Sequence, residues 1–335
     1  TAVKILPEKK QVLTDDGKSI DYDKLLVATG SNPFVPPIEG IETAPSVHTF
    51  MSLNDALALK KSLTPESRVI VLGGGLIGLK CVEGILHMVK RITVIDMADR
   101  VLPSILDAEG SKIVQKHLEQ KGVEFLLGNS IVKVNGQRAY LKNGESLDFD
   151  NLVIAVGVRP NTALVAEAGG KVNRGICTNL KCETSIPDVY AAGDCSESYD
   201  ITIDQSRVLA LLPNAYMQGE TAGINMAGGD KLYDRAIPMN AIGFFGLHII
   251  SAGTYEGECY AKVSGNNYKK LFYKDNVLKG FILIGDVARA GIYTALIREK
   301  KPLDSVDFEL IKEKPQLMAF SVKERAERLN NGIKL

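Results

Sequence analysis

Residues 68–158 alternate short apolar runs with amphipathic stretches, a pattern typical of a parallel sheet flanked by helices. Residues 69–72 and 92–95 are branched, apolar runs, as expected of strands that are buried on both faces. Between them, apolar residues recur at helical spacing, at Leu79, Val82, Ile85, Leu86 and Val89. We therefore predict a strand–helix–strand unit, continued by a helix around residues 113–118 and a strand at 123–127.

The segments on either side of this unit have other patterns. Residues 1–30 form short strand-like runs around an Asp16-Gly17 turn and predict a β-meander. Residues 31–46 are rich in proline and serine and predict a linker. A strand at 189–192 and a helix at 214–226 predict the completion of the unit that residues 1–30 begin.

From residue 236 onward the pattern changes to antiparallel strands followed by helices, which predicts an α+β domain. The predicted elements are strands at 241–251, 269–273 and 278–284 and helices at 287–299 and 304–312. The whole chain is then α/β, with two Rossmann-like domains, the first incomplete, and a C-terminal α+β domain. The predicted division is 1–47 and 163–235 for the first, 48–162 for the second and 236–335 for the third.

One segment occurs twice. DGKSIDYDKLLVATGSNP at residues 16–33 returns as NGESLDFDNLVIAVGVRP at residues 143–160, with a constant offset of 127 over 18 ungapped positions. Such an offset indicates duplication of one structural unit. We expect two related dinucleotide-binding units, the first of which has its glycine loop before residue 1. The sequence would then lack the front of a longer protein, and we expect the chain alone to bind FAD weakly or not at all.

A glycine fingerprint follows the strand at 69–72. Gly73, Gly75 and Gly78, with Leu76 and Ile77 between them, stand where a strand ends and a helix begins. In that setting the glycines permit a tight turn, close approach of a pyrophosphate to the helix N-terminus, and close packing of helix on strand. The next strand ends at Asp96, 23 residues after Gly73, where a carboxylate can accept from the ribose diol of NAD(H). The arrangement predicts a dinucleotide site.

Three further strand ends carry small or acidic residues. Thr29-Gly30 and its repeat, which ends at Gly157, finish strands with small residues that let a backbone lie against a bulky ligand. Gly193-Asp194 puts a carboxylate at the end of the strand at 189–192, where open α/β sheets bind ligands. Taken singly, the glycines also suit a plain strand terminus, and Asp194 also suits a helix cap.

Composition limits the class of function. The 335 residues are 45% hydrophobic and 24% charged, with 40 basic and 40 acidic side chains, so nothing favours nucleic acid or an anionic membrane. No apolar run reaches the ~18 residues of a membrane span. Five cysteines without a secretory signal predict reduced thiols in the cytoplasm. The four histidines have no metal-ligand spacing, so no metal site is predicted.

The motifs ATG, GxGxxG, AxGxRPN and IPDVYAAGD, in this order, resemble the FAD-dependent pyridine nucleotide–disulfide oxidoreductases, above all the NADH:rubredoxin reductase-like and nitrite-reductase flavin-subunit-like members. The resemblance covers nearly the whole chain. It implies that Thr29 and Gly30 lie by FAD and that Asp194 bonds the ribityl–phosphate part of FAD. It implies a helix near Asn214 whose N-terminus faces the flavin pyrimidine, and NAD(P)H on the fingerprint. No catalytic acid, base or nucleophile is assigned.

The chain departs from the family pattern in two places. The first fingerprint is absent, together with the region that carries the redox cysteine of those members that have one. Lys80 stands where many members have a glutamate that faces the flavin. Cys177 and Cys182 have CxxxxC spacing, but we expect an extended strand to point them to opposite faces, too far apart to bridge.

The resulting hypothesis is a flavoprotein oxidoreductase that passes a hydride from NADH to FAD and electrons to a small redox protein or partner subunit. A homodimer is compatible with it. Two alternatives remain open: a thiol-dependent NADH oxidase or CoA-disulfide reductase, and a non-catalytic NAD-binding module if FAD is absent.

Overall fold

The computed structural model describes residues 1–330. Its strands, numbered in chain order, are β1 (Ala2–Leu6), β2 (Gln11–Thr14), β3 (Ser19–Asp21), β4 (Leu25–Val27), β5 (Ser31–Pro33), β6 (Val47–Thr49), β7 (Arg68–Leu72), β8 (Arg91–Asp96), β9 (Val123–Leu127), β10 (Ile131–Asn135), β11 (Arg138–Leu141), β12 (Ser146–Asp148), β13 (Asn151–Ile154), β14 (Val158–Pro160), β15 (Val189–Ala191), β16 (Glu197–Asp200), β17 (Gln205–Val208), β18 (Met239–Phe244), β19 (Leu247–Gly253), β20 (Glu258–Ser264), β21 (Asn267–Lys274) and β22 (Val277–Ile284). Its helices are α1 (Leu53–Ser62), α2 (Leu76–Ile85), α3 (Ala108–Glu119), α4 (Ala163–Glu167), α5 (Leu212–Met226), α6 (Ala290–Arg298), α7 (Phe308–Glu313) and α8 (Val322–Asn330).

The described chain divides into two compact units. Unit 1 comprises residues 1–31, 160–241 and the described residues from 250 onward, and unit 2 comprises residues 32–159 and 242–249. The chain therefore leaves unit 1 after β4 and returns to it at the end of β14. The four-segment domain division expected from the sequence stays a prediction.

Unit 2 is built on the predicted parallel sheet. Its strand order is β6-β13-β7-β8-β9, and the paired registers of β7 with β8 and of β8 with β9 are parallel. β7 and β13 are buried along almost their whole length, which explains their continuous apolar sequence. The helix predicted after β7 is confirmed as α2, although a short 3-10 turn replaces its last residues. β6, in contrast, was missed by the sequence analysis.

The duplication is visible in the secondary structure. β3 and β12 begin at residues 19 and 146, and β5 and β14 begin at residues 31 and 158, so both pairs keep the offset of 127. The same offset relates β2 to β11, which lie before the segment that is recognisable in the sequence. Each copy contains a three-stranded meander, β1-β2-β3 or β10-β11-β12, followed by a parallel strand. The repeated unit is therefore longer than its sequence signature.

Unit 1 contains β1 to β4 of the first copy. β4 lies parallel to β15, and helix α5 follows them in the chain after the β16–β17 hairpin. The C-terminal region supplies the five-stranded sheet β18-β19-β22-β21-β20 and helices α6 to α8. Tyr293 and Phe281 are fully buried in the core that this sheet shares with α6. Within residues 1–330 no helix combines the length and apolar character that a membrane crossing needs.

One predicted C-terminal strand is wrong. Residues 241–251 form the hairpin β18–β19 rather than a single strand, because Phe245 and Gly246 have φ of +48° and +84° and reverse the chain. This turn could not be recognised in the apolar run, because the first of its two residues is a phenylalanine, which is not a typical turn residue. β20 was also missed, and it is an almost wholly exposed strand at the sheet edge.

Candidate functional site

Gly73 and Gly78 hold the fingerprint helix against its strand. A Cβ on Gly78 would lie 2.0 Å from the Gly73 carbonyl oxygen, and a Cβ on Gly73 would lie 2.3 Å from the Ala155 carbonyl oxygen. Gly73 also has φ of +115°, a conformation that other residues adopt with strain. Both positions therefore admit only glycine, and α2 begins directly above the end of β7.

The other fingerprint residues leave the start of α2 open. Gly75 is the N-cap, has no side-chain cap, and a Cβ there would meet nothing within 4 Å. The first N–H groups of α2, at Leu76, Ile77 and Gly78, lack partners within the helix. They concentrate positive potential at a place where backbone can be approached closely. This geometry suits the pyrophosphate of a dinucleotide.

Asp96 ends β8 beside the fingerprint. Its Oδ2 accepts from the Gly74 amide at 2.6 Å and its Oδ1 accepts from the Ala98 amide at 2.8 Å. Each carboxylate oxygen can accept a second hydrogen bond. The side chain is therefore fixed in direction and still able to accept from ribose hydroxyls, as the sequence suggested.

Gly157 follows β13, the strand on the opposite side of β7. It has φ of +107°, and a Cβ there would meet nothing within 4 Å. Because parallel strands end at one edge of a sheet, β13, β7 and β8 bring Gly157, the fingerprint and Asp96 to the same edge. The residues present therefore fit a nicotinamide dinucleotide.

Unit 1 has a second edge of this kind. Thr29-Gly30 follows β4 and Gly193-Asp194 follows β15, and these two strands are parallel neighbours. Gly30 has φ of +65° and open space around its Cβ position. The structure thus brings together the four residues that the sequence assigned to FAD from separate parts of the chain.

The Asp194 carboxylate is half-buried without a described hydrogen-bond partner. Burial alone raises the pKa of its carboxyl group. A partly desolvated acceptor without a donor is expected to favour a ligand that supplies hydroxyl groups. The ribityl chain of FAD supplies such hydroxyls, so this edge fits the sugar–phosphate part of FAD.

Two predicted residues at this edge are already engaged by protein groups. The Thr29 hydroxyl donates to the Asn161 carbonyl oxygen at 2.7 Å, and the Asn161 amide donates to the Thr29 carbonyl oxygen at 2.8 Å. The buried Asn214 accepts from the Tyr233 hydroxyl and donates to the Ile237 carbonyl oxygen. Because both polar atoms of its side chain are engaged, Asn214 can contribute to a flavin site only through its place in the first turn of α5. The sequence analysis did not assign Asn161 a supporting role.

Lys80 is tied to the tip of the β18–β19 hairpin within unit 2. It pairs with Glu83 and donates to the Gly243 carbonyl oxygen at 3.0 Å. Glu83 in turn accepts from the Phe245 amide. Burial opposes ionisation of Glu83, but Lys80 and this amide outweigh it and lower the pKa of the carboxyl. His117 is hydrogen-bonded to the carbonyl oxygen of Phe244 in the same hairpin.

Cys177 and Cys182 do not lie in the extended strand that was predicted for them. Neither lies in a strand, and a turn with Cys182 at φ of +63° separates them. Both are free thiols, and burial raises the pKa of both, to about 12 for Cys182. Cys195 is also free and buried, whereas Cys259 is exposed on β20.

Replacing both Cys177 and Cys182 by serine should leave NADH-dependent dye reduction within about twofold of the parent, because neither thiol is disposed to ionise. Turnover is measured at matched flavin content. The Cys259→Ser variant, which alters an exposed thiol, serves as the control. A tenfold loss of turnover confined to the double variant would show that the pair takes part in electron transfer.

Comparison with known protein families agrees with a dinucleotide site at each of the two strand edges. The family described as pyridine nucleotide-disulphide oxidoreductase matches residues 1–219. The chain belongs to this family. Residues 238–301 match the rubredoxin NAD+ reductase C-terminal domain. Family members use FAD and NAD(P)H, which confirms the cofactors expected from the sequence.

Relatives within the oxidoreductase family include electron-transfer subunits. The chain is 34% identical over 298 residues to the assimilatory nitrate reductase electron transfer subunit of Bacillus subtilis, covering 85% of this chain and 38% of that protein. It is 31% identical over 302 residues to the NADH-dependent phenylglyoxylate dehydrogenase subunit epsilon of Aromatoleum evansii, covering 86% and 71%. A second Bacillus subtilis relative, nitrite reductase [NAD(P)H], is also covered to 38%, so the chain spans about two fifths of these two proteins.

Solved structures confirm the predicted α/β fold. A NAD-dependent persulfide reductase from A. fulgidus superposes with a TM-score of 0.84 at 26% identity, over 99% of this chain and 68% of that one. Putidaredoxin reductase, in its covalent complex with putidaredoxin, superposes with a TM-score of 0.86 at 22% identity, over 99% and 81%. The second likeness concerns the fold alone.

Within the described residues, no three His, Cys, Asp or Glu side chains are grouped so as to hold a metal ion.

Proposed function

We propose that this oxidoreductase chain takes electrons from NADH through FAD to a separate redox protein. The observation that carries the proposal is the pair of strand-end sites in one chain. One carries the fingerprint and Asp96, and the other carries an unpartnered, half-buried Asp194. The match of residues 238–301 to a rubredoxin NAD+ reductase domain supports a protein acceptor.

Bound FAD would supply the redox chemistry, by accepting a hydride from NADH and releasing electrons to the acceptor. The chain's own residues bind and orient. The first turn of α2 holds the pyrophosphate of NADH, and Asp96 accepts from its ribose. Asp194 accepts from FAD hydroxyls, and the N-terminus of α5 directs its positive end towards the flavin. Hydride transfer itself requires no acid or base from the protein.

The acceptor is proposed to be a small iron protein or a partner subunit. Relatives named as a nitric oxide reductase FlRd-NAD(+) reductase and as subunits of larger reductases support both forms of partner. The proposal includes a cytoplasmic location, supported by five free thiols in the described chain. It also includes a homodimer as the assembly to be tested by sedimentation.

A thiol-dependent NADH oxidase or CoA-disulfide reductase is the second candidate, favoured by relatives that are named NADH oxidase. It requires a reactive thiolate. Burial raises the pKa of Cys81, Cys177 and Cys182, so these three thiols are poorly suited to that role. If FAD does not bind at all, the third candidate is a non-catalytic NAD-binding module.

Stopped-flow mixing of the FAD-loaded protein with NADH should bleach the flavin absorbance. A rubredoxin- or ferredoxin-like protein should then restore it faster than oxygen or CoA-disulfide does. Because acidic and basic side chains number 40 each, docking should depend on a local patch and salt should change the rate modestly.

Faster recovery with CoA-disulfide, blocked by thiol alkylation, would replace the proposal by the disulfide-reductase candidate. Absence of any flavin absorbance after incubation with FAD, with NADH still bound, would leave the binding-module candidate.

A further inference from the structure

Gln218, in the middle of α5, is almost completely buried, with 3% of its surface exposed. Its Oε1 accepts from the Gly193 amide at 2.6 Å, and its Nε2 donates to the Ser198 hydroxyl. A single side chain therefore holds the turn that follows β15 and the start of the next strand. No sequence motif marks this glutamine.

The turn held by Gln218 is the one that presents Asp194. Gly193 has φ of +80°, and its carbonyl oxygen accepts from both the amide and the hydroxyl of Ser196. These bonds stabilise the C-terminal side of the turn, and Gln218 stabilises its N-terminal side through the Gly193 amide. Since no described group donates to the Asp194 carboxylate, its direction is set by this backbone alone.

We propose that Gln218 is a positioning residue, which fixes the Gly193–Cys195 turn so that Asp194 meets the hydroxyl groups of the FAD sugar chain. This inference rests on the proposed function, because it concerns the same FAD edge. If the Asp194 carboxylate is already held in place, FAD binding does not incur the entropic cost of ordering that side chain. Gln218 would then strengthen FAD binding without touching FAD.

The alternative is that Gln218 only satisfies a buried amide and has no link to Asp194. A double-mutant cycle separates the two. The Gln218→Met variant keeps the length of the side chain but loses its hydrogen bonds to the Gly193 amide and to the Ser196 and Ser198 hydroxyls. The Ser198→Ala variant removes only the Nε2 partner and leaves the Gly193 bond in place.

FAD affinity is measured by quenching of flavin fluorescence on the full-length protein, freed of bound flavin. Gln218→Met should raise the Kd for FAD about tenfold, and Ser198→Ala less than about threefold. Asp194→Ala should also raise it about tenfold or more. The double variant Asp194→Ala/Gln218→Met should match Asp194→Ala within about twofold, because no carboxylate is left to position.

Thermal unfolding and far-UV circular dichroism check that each variant is folded, and NADH affinity checks that unit 2 is intact. If Gln218→Met does not fold, Gln218→Asn supplies the same arm of the cycle, since it retracts the amide by one carbon. An unchanged Kd for FAD, or losses that multiply in the double variant, would overturn the positioning role alone. A full-length parent protein that binds NADH but no FAD would overturn the proposed function and this inference together.

Discussion

The Gly78→Ala variant is expected to lose at least about tenfold in NADH affinity and about 2–4 kcal/mol of stability. The added Cβ would lie 2.0 Å from the Gly73 carbonyl oxygen and 3.3 Å from Val71 Cγ1. The Val71 side chain would have to move by only a few tenths of an ångström, but the backbone oxygen cannot move far enough to remove the clash. α2 must therefore tilt away from β7, and its first N–H groups move with it.

Gly84→Ala is the matched control, because it lies in the same helix with nothing within 4 Å of its Cβ position. It should keep NADH affinity and gain roughly 0.5–1 kcal/mol, since alanine favours helix. Fluorescence titration with NADH and thermal unfolding measure the two effects. Equal NADH affinity in the two variants would show that close packing at Gly78 is not what forms the site.

The parent chain should prefer NADH to NADPH by at least about tenfold, and Asp96→Ala should narrow this preference. A 2′-phosphate beside the Asp96 carboxylate would place like charges together, whereas a 2′-hydroxyl can donate to it. The same substitution should weaken NADH binding about tenfold, because it also removes the acceptor of the Gly74 and Ala98 amides.

The control for the change of charge is Glu145→Ala, an exposed carboxylate in the turn between β11 and β12 of the same unit. Competition of NADPH against NADH gives both affinities for each variant. Tighter binding of NADPH by the parent would contradict the assignment of Asp96. If Glu145→Ala shifted the preference for NADH over NADPH equally, the effect of Asp96→Ala would be a general effect of charge.

The parallel sheet and its glycine turns were predictable because local sequence determines them. A strand buried on both faces must be apolar throughout, and a helix that starts in contact with it must carry glycine at Gly73 and Gly78. The 18-residue repeat, with its offset of 127, likewise placed Gly157 on the same type of strand end as Gly30. In these cases one residue's environment could be inferred from its immediate neighbours.

The parts that escaped prediction depend on partners distant in sequence. Gln218 bonds Gly193 across 25 positions, and Asn161 bonds Thr29 across 132. No local pattern marks such a residue, since glutamine and asparagine are ordinary on exposed surfaces. The turn at Phe245 was missed for another reason, because tertiary bonds from Glu83 stabilise a backbone conformation that phenylalanine rarely adopts.

The β18–β19 hairpin has a consequence for exchanging parts between relatives. The match to the C-terminal domain begins at residue 238, yet residues 242–249 belong to the compact unit of the fingerprint helix. A chimera joined at residue 238 would pair Lys80 and Glu83 with a foreign hairpin, whose tip need not offer the carbonyl and amide that Gly243 and Phe245 supply here. Recombination between homologues should therefore succeed more often when α2 and this hairpin come from one parent.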